Sequence, residues 1–190
     1  MPVKLQQQRI LGRGDLPSRR AFSLFELLLV MGVLAVLAGI SFAAYARTTE
    51  RAREAQAAAE IQRLGIALEQ YRNHYGDFPV ILPQAEGAAR LLIESLLGEH
   101  SPTGEILEPA DRAFLDLGDF TQESENAREV VAQDPWGNDW VYVYAPELSE
   151  WSSPQFILYS RGRSGEHEPP TANGAFTPQS PDNRDNVFYE

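Results

Sequence analysis

Residues 22–46 read FSLFELLLVMGVLAVLAGISFAAYA, 25 residues with a single ionisable side chain, Glu26. A helix of that length reaches about 37 Å, enough to cross the roughly 30 Å of hydrocarbon in a bilayer. A helix lying on a soluble core carries a polar stripe at the 3.6-residue period, and this run carries none. The stretch therefore reads as a membrane-spanning helix. Arg19 and Arg20 stand directly before it and belong on the cytoplasmic side, which sends the chain beyond Ala46 across the membrane.

Charge is divided along the same line. The 190 residues carry a net −11. Up to Ala21, five basic residues (Lys4, Arg9, Arg13, Arg19 and Arg20) face one acid, Asp15, so this leader is +4 and the remainder −15. A folded part so acidic excludes a nucleic-acid-binding role, which needs the opposite sign. It suits an extracytoplasmic surface or one that collects divalent cations. The chain has no cysteine, which excludes a disulfide scaffold, thiolate zinc sites and cysteine nucleophiles.

A carboxylate near the start of an apolar helix is costly and needs a reason. Ser23 and Glu26 have the S-x-x-E spacing of a capping box, which would close free amides at the helix start. Ala44-Tyr45-Ala46 has the small-x-small pattern of a signal-peptidase site, although the apolar run is long for a signal peptide and an acid inside one is atypical. The residues around Glu26 supply a third reading. Arg19-Arg20-Ala21-Phe22-Ser23-Leu24-Phe25-Glu26-Leu27-Leu28 resembles the type IV prepilin signature. The resemblance implies cleavage by a prepilin peptidase between Ala21 and Phe22, N-methylation of Phe22, and Glu26 as fifth residue of the mature chain. The family has glycine before the cut, where this chain has Ala21. Cleavage would place an ammonium on Phe22 at about the depth of Glu26. Pairing Glu26 with the Phe22 amine of a neighbouring subunit would relieve both charges.

After Ala46 the helical pattern continues without proline, and without glycine until Gly65. Residues 47–75 are rich in Ala, Glu, Gln and Arg, all strong helix formers. Ile61, Leu64, Leu68, Tyr71 and Tyr75 recur at three- and four-residue steps and mark one apolar face for packing on a domain. Residues 47–60 are almost wholly polar or alanine and are predicted to form an exposed neck. The sequence Gly76-Asp77-Phe78-Pro79 ends the helix.

The remainder reads as one small domain over residues 76–190. Residues 88–97 (AARLLIESLL) predict a short helix, and residues 111–120 irregular structure. Two runs, WVYVY (140–144) and QFILY (155–159), are bounded by turn formers and predict an antiparallel hairpin of a small sheet packed on the long helix. The last thirty residues, rich in Pro, Gly, Asn and Asp, read as loop. The fold class is α+β: a long N-terminal helix, part transmembrane and part packed, with a small antiparallel sheet. Its divisions are a leader (1–21), a transmembrane helix (22–46), a continuation of that helix (47–75) and the domain (76–190).

Three further motifs are similar to those of the major pseudopilin of type II secretion. Tyr71-Arg72-Asn73-His74-Tyr75-Gly76-Asp77-Phe78-Pro79 resembles its Y-x-x-x-x-G-x-[YF]-P junction, and Asp134-Pro135-Trp136-Gly137-Asn138-Asp139-Trp140 its D-P-W-G-x-x-[YW] turn. Phe156-Ile157-Leu158-Tyr159-Ser160-Arg161-Gly162 resembles its F-x-[IL]-Y-S-x-G strand. In physical terms DPWG is a turn, with Pro135 fixing φ and Trp136 offering a large apolar body to close the small core. The resemblance implies a subunit that polymerises with copies of itself and related minor pseudopilins into a helical periplasmic fibre. Its other partners would be prepilin peptidase, an inner-membrane assembly platform and the lipid bilayer, with no nucleic acid.

The resemblance also implies Ca2+ in the final loop. The family's first ligand position holds Ser164 here, between Arg161, Arg163 and Gly165. Asp182 and Asp185, with Asn186, would be the remaining oxygen ligands, and Glu166 or Glu168 would compensate for the missing one. The alternative is an ordinary solvated acidic loop. His74, His100 and His167 are isolated in sequence, no H-E-x-x-H or G-x-S-x-G motif occurs, and no enzymatic activity is expected.

Two other readings stay open at this point. One is a type IV pilin or minor pilin acting in adhesion, motility or DNA uptake. The other is a signal-anchored periplasmic ligand-binding protein that uses Trp140, Tyr142, Tyr144 and Trp151 as an aromatic platform.

Overall fold

The computed structural model describes residues 23–120, 126–153 and 155–189. Helix α1 runs over Leu24–Tyr75, 52 residues without a break. It is followed by α2 (Ala88–Leu96), α3 (Ala127–Val131), β1 (Val141–Val143), β2 (Ile157–Ser160) and β3 (Val187–Phe188). The architecture is α+β, with a long N-terminal helix and a three-stranded antiparallel sheet in the order β1-β2-β3.

The chain divides at Tyr45 and Ala46 into two compact units. In the first, apolar side chains from Leu24 to Phe42 lie open on every side of the helix, Leu28 at 62% and Ile40 at 63% exposure. This part of α1 is long and apolar enough to cross a membrane, by length and composition.

The second unit contains the core. Ile61, Leu64, Leu68 and Tyr71 on α1 are fully or almost fully buried, and Tyr75 is half-buried at the edge. The i, i+3, i+4 spacing thus places one face of α1 in the buried core to which α2 and the strands also contribute. The predicted neck is shorter than the polar composition suggested. Ala57 and Glu60 are already buried, because alanine lets neighbouring chain come close and the stem of Glu60 follows Ala57 and Ile61 onto the same face. Helix α2 contributes Leu92, Ile93 and Leu96.

β1 and β2 pair as Val141 with Tyr159, Tyr142 with Leu158 and Val143 with Ile157. The 13 intervening residues, 144–156, form a long connection rather than a tight turn. The C-terminal stretch differs from its reading as loop. Val187 and Phe188 form β3 on the free edge of β2, opposite Ser160 and Tyr159, and the Tyr189 amide donates to the Leu158 carbonyl at 3.1 Å. The Tyr189 ring then lies over Gly65 of α1, filling the space a Cβ would take. An open sheet edge carries unpaired amides and carbonyls, and this pairing satisfies them.

Candidate functional site

At the start of α1 the capping box is formed. The Ser23 amide donates to Glu26 Oε2 at 3.1 Å, and Ser23 Oγ accepts from the Phe25 amide at 3.3 Å. Glu26 Oε1 has no hydrogen bond among the described residues. One oxygen of the lone acid in the apolar run therefore closes the helix start. Ala21 and Phe22 lie outside the described residues.

At its other end α1 stops in a hydrogen-bonded junction. The Gly76 amide returns to the Arg72 carbonyl at 2.7 Å. Asp77 Oδ1 accepts both the Phe78 amide (2.8 Å) and the Tyr144 hydroxyl (2.7 Å). Tyr142 donates to the Pro79 carbonyl at 2.9 Å, and Tyr71 to the His100 carbonyl at 2.9 Å. Burial, with the bonded Asp77 carboxylate second, pushes the Tyr144 hydroxyl up to about 12. All three tyrosines therefore act as donors at neutral pH.

The DPWG turn is organised by Asp134, which is completely buried. Its Oδ1 accepts the amides of Trp136 (3.0 Å) and Asn138 (2.9 Å), an Asx turn. Its Oδ2 accepts the Ser160 hydroxyl at 2.6 Å, and Ser160 Oγ in turn accepts the Gly162 amide at 3.0 Å. Asn138 Nδ2 donates to the Gly162 carbonyl at 2.7 Å, so the turn and the end of β2 form one network. Gly162 has φ +63°, and a Cβ there would run into the Asp185 carbonyl, which excludes every other residue.

Trp136 packs against the core from its edge. It is half-buried, and its Nε1 donates to Glu50 Oε1 of α1 at 3.0 Å; the enclosed indole is Trp140, 2% exposed, which donates to the Val131 carbonyl at 3.0 Å. Glu60, 4% exposed, accepts from Gln56 Nε2 at 2.8 Å. Burial raises its carboxyl above the usual range, opposed by the Gln56 bond and Arg63 and reinforced by Asp134. Glu50 and Glu60 were not singled out in sequence, and Asp134 was named only as the first residue of the turn motif. The D-P-x-G spacing could have marked Asp134 as an Asx-turn acceptor.

Asp185 holds the final loop. Its Oδ2 accepts the Ser164 amide at 2.7 Å and its Oδ1 the Ser164 hydroxyl at 2.9 Å. Asp182 sits exposed in the 3-10 turn Pro181–Asn183, and Asn186 donates to Asn183 Oδ1 at 2.9 Å. Asn183 is buried, and its Oδ1 also accepts the Glu168 amide at 2.9 Å. No group of three His, Asp or Glu side chains able to hold a metal occurs among the described residues. Both oxygens of Asp185 accept from Ser164, and Asn186 is engaged with Asn183.

The histidines have local partners. His74 Nε2 lies 3.0 Å from Asp111 Oδ2, and that bond, followed by one from Tyr75, holds the Asp111 carboxyl below its ordinary range. His100 lies 3.5 Å from Glu94, and His167 Nδ1 is 2.7 Å from the Tyr159 hydroxyl. Of the aromatic platform, Trp140, Tyr142 and Tyr144 are buried, and Trp151 is half-buried in edge-on contact with Tyr144. Their rings face the core.

No family model matches the chain, no curated protein matches it, and no solved structure matches it.

Proposed function

We propose that the chain is a pilin-like subunit, most similar to the major pseudopilin of type II secretion. It is anchored in the inner membrane as a single pass, with a cytoplasmic leader and a periplasmic domain. Prepilin peptidase cuts between Ala21 and Phe22, Phe22 is methylated, and the mature chain polymerises through its apolar helix into a helical fibre that supports protein export. The observation that carries this reading is the pairing of two properties in α1. Its apolar part bears one acid, Glu26, bonded to the Ser23 amide through one carboxylate oxygen, and its other oxygen would accept an incoming amine. Its other part carries a buried stripe, Ile61, Leu64, Leu68 and Tyr71, that holds the domain.

Mass spectrometry of the N-terminus tests the reading. A methylated Phe22 is expected; cleavage after Ala46 would indicate a secreted protein, and an intact Met1 a simple anchor. Glu26→Ala is expected to leave insertion and cleavage largely intact while fibre formation fails, and normal fibres from that variant would sink the pairing mechanism. Neighbouring genes for a secretion ATPase and an outer-membrane secretin would separate type II secretion from a type IV pilus.

A further inference from the structure

Residues 46–190 carry eleven basic side chains against twenty-five acidic ones. Three of the eleven, Arg47, Arg51 and Arg163, nevertheless converge on one open hollow of about 330 Å³, shared with Glu50 and Glu54. Arg47 and Arg51 are four residues apart on α1 and so lie on one face, while Arg163 comes from the loop after β2. All three arginines are exposed, and none makes an ion pair among the described residues. Glu50 accepts the Trp136 indole N–H through Oε1, and with Glu54 it leaves the hollow a net charge of +1. Three unpaired guanidinium groups around one hollow are a receptor for a phosphate oxyanion.

Its place along the chain indicates which phosphate. Arg47 follows directly on the apolar run that ends at Ala46, and at 1.5 Å per residue Arg51 is only about 7 Å further along the helix. Tyr45, two positions before Arg47 in sequence, is one of the aromatic types that settle at the headgroup level of a bilayer. An acidic domain next to an anionic leaflet is repelled over roughly a Debye length, about 8 Å at physiological salt. A basic hollow at that level turns repulsion into contact. We infer that Arg47, Arg51 and Arg163 bind the phosphate headgroup of an anionic phospholipid in the leaflet from which the domain emerges. This inference rests on the anchor reading of α1.

The test uses the full chain in detergent, with phosphatidylglycerol and phosphatidylcholine of equal acyl length offered together and bound lipids counted by native mass spectrometry. Phosphatidylglycerol adducts should predominate. The double variant Arg51→Gln/Arg163→Gln should lose that preference about tenfold, the double lysine variant should keep most of it, and Arg90→Gln, remote from the hollow, should change nothing. No preference in the parent chain, or one untouched by the glutamine variant, overturns the proposal. So does inorganic phosphate that displaces the lipid at equal concentration, which would mark a free-anion site. An arginine-dependent dimer without lipid preference would assign the hollow to a second copy and also overturn it. Carbonate extraction keeps the two readings apart: a chain released from membranes by carbonate overturns the anchor and the headgroup site together, whereas an integral chain without preference overturns the site alone.

Discussion

The indole Nε1 of Trp136 donates to Glu50 Oε1 across 86 positions of sequence, at 3.0 Å, and so ties the DPWG turn to α1. The bond reaches the polar stretch that composition alone assigned to a free neck. Trp136→Phe keeps a large ring and removes only the donor. We expect a loss of about 1–2 kcal/mol, the usual result of orphaning a partly buried acceptor. Urea unfolding followed by circular dichroism measures it, and an unchanged midpoint would show that the bond contributes nothing.

Gly65 sits beneath the Tyr189 ring, with no room for a Cβ. Alanine is the better helix former by roughly 1 kcal/mol, yet Gly65→Ala should destabilise the domain by about 1–3 kcal/mol through overpacking. In a Tyr189→Ala background the same change should become neutral or stabilising. Additive effects in that double-mutant cycle would refute the contact.

Glu60 binds its proton more tightly in the fold than in the unfolded chain, because burial raises its pKa above 4.5. The folded state therefore holds more protons between 4.5 and that raised value, and stability falls as pH rises through this window. Above it the loss is constant. Glu60→Gln should melt higher than the parent at pH 7, with the difference shrinking towards pH 4. A difference that does not vary with pH would exclude titration of Glu60 as its cause.

Asp134 is buried with both oxygens engaged, by two amides, the Ser160 hydroxyl and the Asn138 side chain. Asp134→Ala leaves several of these donors without partners and should cost about 3–5 kcal/mol. Asp134→Asn, which keeps the size and one acceptor, should cost visibly less. Equal losses in chemical denaturation would show that the network is not what Asp134 supports.

Asp185 gives both carboxylate oxygens to Ser164. Millimolar calcium is accordingly expected to leave the melting temperature unchanged, and EGTA to have no effect. Asp185→Ala should lower it by a few degrees, since it frees the Ser164 amide and hydroxyl. A calcium-dependent rise abolished by EGTA would reinstate a metal in this loop.

What could be read from the sequence follows the range of the forces involved. Helix α1 was legible because its signals are local: an apolar run, a repeating face at Ile61, Leu64, Leu68 and Tyr71, and a Gly-x-Phe-Pro stop. β1 and β2 were legible because alternating aromatic and branched residues lie between turn formers. β3 was not, since two residues have no periodicity and become a strand only because β2 offers an edge. The burial of Glu60 and the union of Asp134 with Ser160, 26 residues apart, were equally hidden, as both depend on what the tertiary fold brings alongside. The capping box of Ser23 and Glu26 could be read because its parts are three residues apart.

Tyr189 completes the cover of α1 124 positions after Gly65, and β3 closes the sheet at the same moment. Contacts this distant in sequence form late, because the long loop between them must be closed first. The apolar stripe of α1 is therefore in place before the strand and ring that seal it. For that interval the chain is a helix with a sticky flank, and its protection falls to whatever attends it as it emerges. Closing of the clasp made by β3 and Tyr189 thus sets the moment at which the domain is sealed.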